Sequence, residues 1–209
     1  MKKLGLLMFL LALAVMLGGT ALAQGDNTAY FTTYYSANQA NAPDAAVRII
    51  NDGGDIDPAT QSSDLWAAIY VFDDSEELTQ CCNCRVTADG MLSESVKLNL
   101  TANPIRNIVN SRGVIKVISS HNTLITGAEN PFPAPGLRVW ATHIQGTKVT
   151  LSPGLPVNPV VAGPFFVTET LAADSNLSAG EQTLLGQLCM FDRLLSGKNC
   201  TCQPEDFDF

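Results

Sequence analysis

Six cysteines are the residues of this 209-residue chain with the clearest chemical potential. They form two groups that lie 105 positions apart: Cys81, Cys82 and Cys84, then Cys189, Cys200 and Cys202. An even number of cysteines in an exported chain favours disulfide bonds. Because each group holds an odd number, at least one bond must join the two groups if all six cysteines pair.

The first cysteine group also contains a C-x-x-C spacing, from Cys81 to Cys84. This spacing is used by redox dithiols and as half of a zinc site. A thioredoxin-like motif stands between a strand and a helix, whereas residues 85–90 here indicate a strand fragment that ends in a turn. We therefore expect structural disulfides and keep the metal and redox uses as alternatives.

Carboxylates are the next candidates for chemistry. Asp52, Asp55 and Asp57 fall in one turn, and oxygen-rich loops of this kind are able to hold calcium, although the spacing is not that of an EF-hand. A second acidic run covers residues 73–77. Short charge runs are usually solvated turns, so we predict no cofactor and keep calcium at the first turn as the alternative.

Catalytic motifs are sparse in the sequence. The two histidines, His121 and His143, are not arranged as in the zinc hydrolases, and no G-x-S-x-G is present. A glycosidase-like carboxylate pair would need two acids about 5 to 10 Å apart, which a sequence does not establish. These observations favour a non-catalytic protein. The alternative is a hydrolase that uses a carboxylate pair and that either depends on calcium or does not.

Aromatic residues are concentrated near the start of the mature chain. Tyr30, Phe31, Tyr34 and Tyr35 fall in the first expected strand. A row made by Tyr30, Thr32 and Tyr34 on an exposed face would stack on sugars or on a partner protein. Burial in a β core is the more ordinary role of such side chains.

The N-terminus predicts export. Two lysines precede an apolar run from Leu4 to Leu17, and Ala21-Leu22-Ala23 has the form that signal peptidase cleaves. The run covers 14 residues, fewer than the roughly 18 to 20 of a permanent transmembrane helix. We expect residues 1–23 to be removed and residues 24–209 to form a single secreted or periplasmic domain without membrane insertion.

The charge of the mature chain limits its partners. Cleavage removes two of the 12 basic residues, which leaves 10 against 20 acidic residues and a formal net charge of −10. Nucleic acids and anionic lipids repel such a protein. The expected partner is therefore a protein or a carbohydrate, whose identity the sequence does not indicate.

Short β-branched and aromatic stretches between glycine and proline turns predict a mainly β fold. The expected strands are Ala29–Ser36, Ala46–Asn51, Leu65–Phe72, Gly113–Ser119, Leu137–Gln145, Lys148–Leu151 and Phe165–Leu171. They favour an antiparallel β-sandwich, Ig-like or jelly-roll-like. The third stretch is apolar throughout and is expected in the middle of a sheet that is covered on both faces.

One C-terminal α-helix is expected over about residues 178–196. Ser178 and Glu181 fit a capping box, in which each side chain accepts a hydrogen bond from the other residue's backbone N–H. Apolar residues at three- and four-residue spacing follow, and they are Leu184, Leu185, Leu188, Phe191 and Leu195. We expect this stripe and Cys189 to dock on the sheet, with the cysteine-containing tail running back alongside.

Three stretches resemble a group of uncharacterised secreted bacterial proteins, namely residues 65–75, 81–84 and 112–120. The resemblance implies export and bacterial origin, and it assigns no active residue. By elimination of the catalytic motifs, we expect a secreted, non-catalytic binding or structural protein of the envelope or the extracellular space.

Overall fold

In the computed structural model, two antiparallel β-sheets pack face to face and one helix covers the outer face of the larger sheet. The structure describes residues 28–36, 42–102, 104, 111–121, 131–148, 161–196 and 200–202. The predicted signal peptide, Gln24 and most of the expected strand Lys148–Leu151 lie outside these ranges. Within them, no helix has the length and apolar character needed to cross a membrane.

The strands follow the turn pattern of the sequence closely. They are β1 (Tyr30–Tyr35), β2 (Ala46–Asn51), β3 (Leu65–Asp73), β4 (Leu78–Val86), β5 (Met91–Ser95), β6 (Gly113–Ser120), β7 (Leu137–Lys148), β8 (Val161–Leu171) and β9 (Ala173–Asp174). A π-helical turn, Val96–Leu100, follows β5, and α1 covers Ala179–Ser196. The larger sheet has the order β4-β3-β6-β1-β9, and the smaller has the order β5-β2-β7-β8. This arrangement confirms the predicted sandwich with one C-terminal helix.

The inner core lies between the two sheets. It is built mainly from alternate residues of β1 to β7, such as Phe31, Ile69 and Val117 from the larger sheet and Ile49 and Val139 from the smaller one, all almost fully buried. Alternation places the next residues on the opposite face of each sheet. In β3 both sets are buried, because the smaller sheet covers one face and α1 covers the other. The predicted cover on both faces is confirmed, and β3 is an internal strand, although β6 holds the central position of the sheet.

The outer core lies between the larger sheet and α1. Tyr70 and Ile118 from the sheet pack with Leu185 and Cys189 from the helix. The predicted helical stripe is partly wrong, because Leu184 and Phe191 are 49% and 60% exposed. The helix instead buries positions 185, 189 and 192, which repeat at four and three residues and so lie on one face.

The predicted capping box forms only in part. The Ser178 Oγ accepts a hydrogen bond from the Glu181 backbone N–H at 3.1 Å, as expected. The Glu181 carboxylate, however, turns toward the sheet, where it contacts Lys116 Nζ and accepts a hydrogen bond from the Tyr30 hydroxyl. The first turn of α1 is therefore tied to β1 and β6.

Three strands, β4, β5 and β9, are missing from the list of expected strands, although the sequence indicated a strand fragment at the end of β4. In β4 the run Thr79-Gln80-Cys81-Cys82 shows no alternation of polar and apolar residues. The strand nevertheless pairs with β3 over its whole length, with one register shift at Val71/Phe72. Pairing with a strongly apolar neighbour thus overrides the weak local pattern.

Candidate functional site

Three disulfide bonds fasten the C-terminal region to β4, an edge strand of the larger sheet. They join Cys81 to Cys189, Cys82 to Cys200 and Cys84 to Cys202, with Cα–Cα distances of 5.7, 5.2 and 5.5 Å. No cysteine is free. All three bonds join the two groups, where parity required only one. Three disulfides indicate an oxidising environment, either extracellular or periplasmic.

The strand geometry of β4 decides which cysteine meets which partner. Successive side chains of a strand point to opposite faces. Cys81 therefore lies in the outer core with Cys189 of α1, whereas Cys82 and Cys84 lie on the inner face. The tail cysteines are also two positions apart, and both tail bonds span 118 positions.

The tail thus runs parallel to β4, and its two bonds form successive rungs. We call Cys82, Cys84, Cys200 and Cys202 the tail ladder. The C-x-x-C spacing has no dithiol function in this arrangement, since Cys81 and Cys84 face opposite sides of the strand and bond to different partners.

The structure does not gather the three aspartates proposed for calcium. Asp52 faces Arg138, with its Oδ2 3.7 Å from a guanidinium nitrogen, and Asp55 Oδ2 lies 3.0 Å from His121 Nε2. Asp57 accepts hydrogen bonds from the backbone and side chains of its own turn, which lower its pKa. Each of the three carboxylates therefore interacts with a different neighbour.

The second acidic run, residues 73–77, forms the turn between β3 and β4. Asp73 Oδ1 accepts hydrogen bonds from the backbone N–H groups of Ser75 and Glu77, at 2.9 and 3.0 Å. Asp74 forms an ion pair with Arg112 at 2.9 Å. The run is therefore a structured turn beside the end of β3.

A groove of about 360 Å³ lies beside this turn, between β6 and α1. Phe72 and Leu185 contribute apolar walls, and Lys116 and Glu181 contribute a charged end. Burial acts to lower the pKa of Lys116, but its hydrogen bonds and charge interactions with Glu181 and Tyr30 together outweigh burial and raise the pKa. The hydrogen bond from Lys116 lowers the pKa of Glu181. The two charges at this end therefore neutralise each other.

The two histidines occupy different environments. His121 contacts Asp55 at the end of β6, as described above. His143 is 1% exposed, stacks on the Tyr34 ring at a centroid distance of 3.9 Å, and has its Nε2 2.7 Å from Thr170 Oγ1. Burial lowers the pKa of His143, so the ring is neutral at pH 7. It joins β1 of one sheet to β7 and β8 of the other.

The aromatic residues of β1 are mostly core residues. Tyr30, Phe31 and Tyr35 are 5%, 1% and 1% exposed, whereas Tyr34 is 47% exposed over His143. The possible exposed row therefore does not form, because α1 covers Tyr30. Burial raises the pKa of Tyr35, and the nearby Asp73 carboxylate adds to this effect.

The most exposed apolar strand of the described chain is β8. It pairs with β7 at one end of the smaller sheet, and the side chains from Phe166 to Leu171 are all exposed. Phe166, Val167 and Leu171 are 58%, 56% and 55% exposed. The sequence predicted the strand but not its edge position, because exposure depends on which strands pair with it.

In comparisons with known proteins, no family model, no curated protein and no solved structure matches this chain. The sequence resemblance to secreted bacterial proteins stays a prediction. We therefore infer the function from the geometry above.

Proposed function

We propose that the mature chain is an exported, non-catalytic structural or binding protein that associates with a second copy of itself through β8. The observation that carries this proposal is the exposure of an apolar edge strand in an otherwise acidic protein. Exposed strand edges of this kind pair readily with another extended chain. The three disulfides support a location in the envelope or outside the cell.

The charge distribution on β8 favours a second copy as the partner. Two copies of a chain with net charge −10 repel each other over most of their surfaces. From Val161 to Leu171, however, Glu169 is the one charged residue, and it forms an ion pair with Arg48 of β2. Antiparallel pairing of two β8 strands centred on Thr168 places Val167 of each copy opposite Glu169 of the other, so like charges do not meet.

The carboxylates give little support to the hydrolase alternative. A glycosidase needs one carboxyl group that keeps its proton near neutral pH. Here Asp64 and Glu181 pair with Arg85 and Lys116, and their hydrogen bonds to these cations lower both carboxyl pKa values. Among the residues that the structure describes, the contact between His121 and Asp55 is the arrangement that favours an enzyme.

The test is the oligomeric state of the mature protein measured by sedimentation equilibrium. Val167→Glu places a carboxylate opposite Glu169 of the other copy, and Leu194→Glu makes the same kind of change on α1, where Leu194 is 76% exposed. We expect wild type and Leu194→Glu to dimerise and Val167→Glu to raise the dissociation constant about tenfold or more, because like charges then face each other across the two strands.

A monomeric wild type, or equal association of both variants, would contradict the proposal. Hydrolysis of a polysaccharide by the purified protein that is lost in His121→Gln would favour the enzyme instead.

A further inference from the structure

The tail ladder brings sulfur atoms of different disulfides close together. The Sγ atoms of Cys82 and Cys84 are 3.9 Å apart, and the Sγ atom of Cys202 lies within 4.8 Å of both. Thiol–disulfide exchange begins when a thiolate contacts a sulfur of a disulfide. If one rung opens, its buried sulfur is already beside the other rung.

The four cysteines differ in their access to solvent. Cys82, Cys84 and Cys200 are 3%, 1% and 5% exposed, whereas Cys202 is exposed. A reductant in solution therefore reaches the ladder at Cys202. Attack there releases Cys84, which is the sulfur that lies 3.9 Å from Cys82.

We propose that the tail ladder is a thiol–disulfide exchange site whose substrate is a dithiol reductant. In the first step, a thiolate of the dithiol attacks Cys202 Sγ, the Cys84–Cys202 bond breaks, and Cys84 leaves as a thiolate. The second thiol of the reductant, as a thiolate, then attacks the reductant's first sulfur, which is bonded to Cys202 in the mixed disulfide. Cys202 leaves as a thiolate, and the reductant becomes a disulfide after giving two electrons to the protein.

The second step needs no further electrons. The Cys84 thiolate attacks Cys82 Sγ, the Cys82–Cys200 bond breaks, and Cys200 leaves as a thiolate that takes a proton from water. The product carries a Cys82–Cys84 disulfide on the inner face of β4. The tail then carries Cys200 and Cys202 as a free C-x-C dithiol.

The third disulfide limits the change to the tail. Cys81 and Cys189 lie in the outer core, on the opposite face of β4, and take no part in the exchange. The helix therefore stays attached while the tail is released. This activity is independent of self-association through β8.

Cys202→Ser tests the second step, because it leaves Cys84 unpaired without any reductant. The exported variant is blocked with N-ethylmaleimide in acidic urea and digested with trypsin, which yields peptides 49–85, 149–193 and 199–209 from the sequence. We expect peptide 199–209 to be released with an alkylated Cys200, and peptide 49–85 to keep Cys82 and Cys84 joined. A linked peptide 199–209 together with an alkylated Cys84 would overturn the proposal.

A second arm covers the case in which Cys202→Ser fails to fold. The Cys81→Ser/Cys189→Ser variant leaves only Cys82 and Cys84 in peptide 49–85, and it is treated with one equivalent of dithiothreitol. The exchange predicts that peptide 199–209 is released with two alkylated cysteines and that peptide 49–85 contains an internal disulfide. Retention of peptide 199–209 through one disulfide would contradict the exchange.

Discussion

Replacing the Cys81–Cys189 pair with alanines should destabilise the protein by about 3 kcal/mol, and replacing Cys84–Cys202 by about 2 kcal/mol. The two values differ because each bond, when the other two are kept, closes a loop of a different length in the unfolded chain. A lone bond across 108 positions would contribute about 4.8 kcal/mol in the chain-entropy model. With Cys82–Cys200 in place, the Cys81–Cys189 bond closes a loop of only about 12 residues, and the Cys84–Cys202 bond closes a loop of about 4 residues.

The assay is urea unfolding of both double-alanine variants, followed by tryptophan fluorescence at fixed pH. The slope with urea should rise in each variant, because a less constrained unfolded chain exposes more surface. A decrease near 4.8 kcal/mol in the free energy of unfolding of both variants would refute the reasoning from loop length, since it would mean that the bonds act independently. A larger loss for the tail rung than for the outer-core bond would also refute it.

Three further predictions follow from packing and charge. Gly113→Ala should destabilise the fold by about 3 kcal/mol or more, because the new Cβ would lie 1.9 Å from the Phe72 carbonyl oxygen. Gly180→Ala is the control, and it should not lower the melting temperature, because its Cβ meets nothing closer than 3.9 Å. The pKa of His143 is lowered in the folded protein, so the unfolded chain binds more protons, and the free energy of unfolding should fall as the pH drops below about 7 toward 5. His143→Gln should flatten this part of the pH profile of stability. An unchanged profile would contradict the lowered pKa of His143. A chelator should leave the melting temperature unchanged, since Asp52 and Asp55 face Arg138 and His121, whereas a fall would restore the calcium hypothesis.

The sequence predicted the parts of the fold whose local pattern is strong. Ala46–Asn51 was predicted to the residue, because turns bound a run in which alternate residues are buried. The apolar run of β3 indicated cover on two faces. The strand β4 was not predicted, because its pairing with β3 is a long-range contact and its cysteines read as a separate motif.

The candidate sites were predictable to a smaller extent. Counting cysteines showed that the two groups must be joined, but the pairing depends on which face of β4 each side chain occupies. The contacts of Glu181 with Lys116 and of His121 with Asp55 join distant positions and leave no local pattern. The exposure of β8 likewise depends on the order of strands in the sheet.

A peptide map of the protein recovered outside the cytoplasm tests most directly whether the chain is exported and whether three specific disulfides join its C-terminal region to β4. Digestion without reductant, followed by fragmentation of the linked species, should show peptides 49–85, 149–193 and 199–209 joined through Cys81–Cys189, Cys82–Cys200 and Cys84–Cys202. The first peptide of the same map should begin at Gln24. Free thiols at these six positions, a different pairing, or an N-terminus that keeps residues 1–23 would contradict the account.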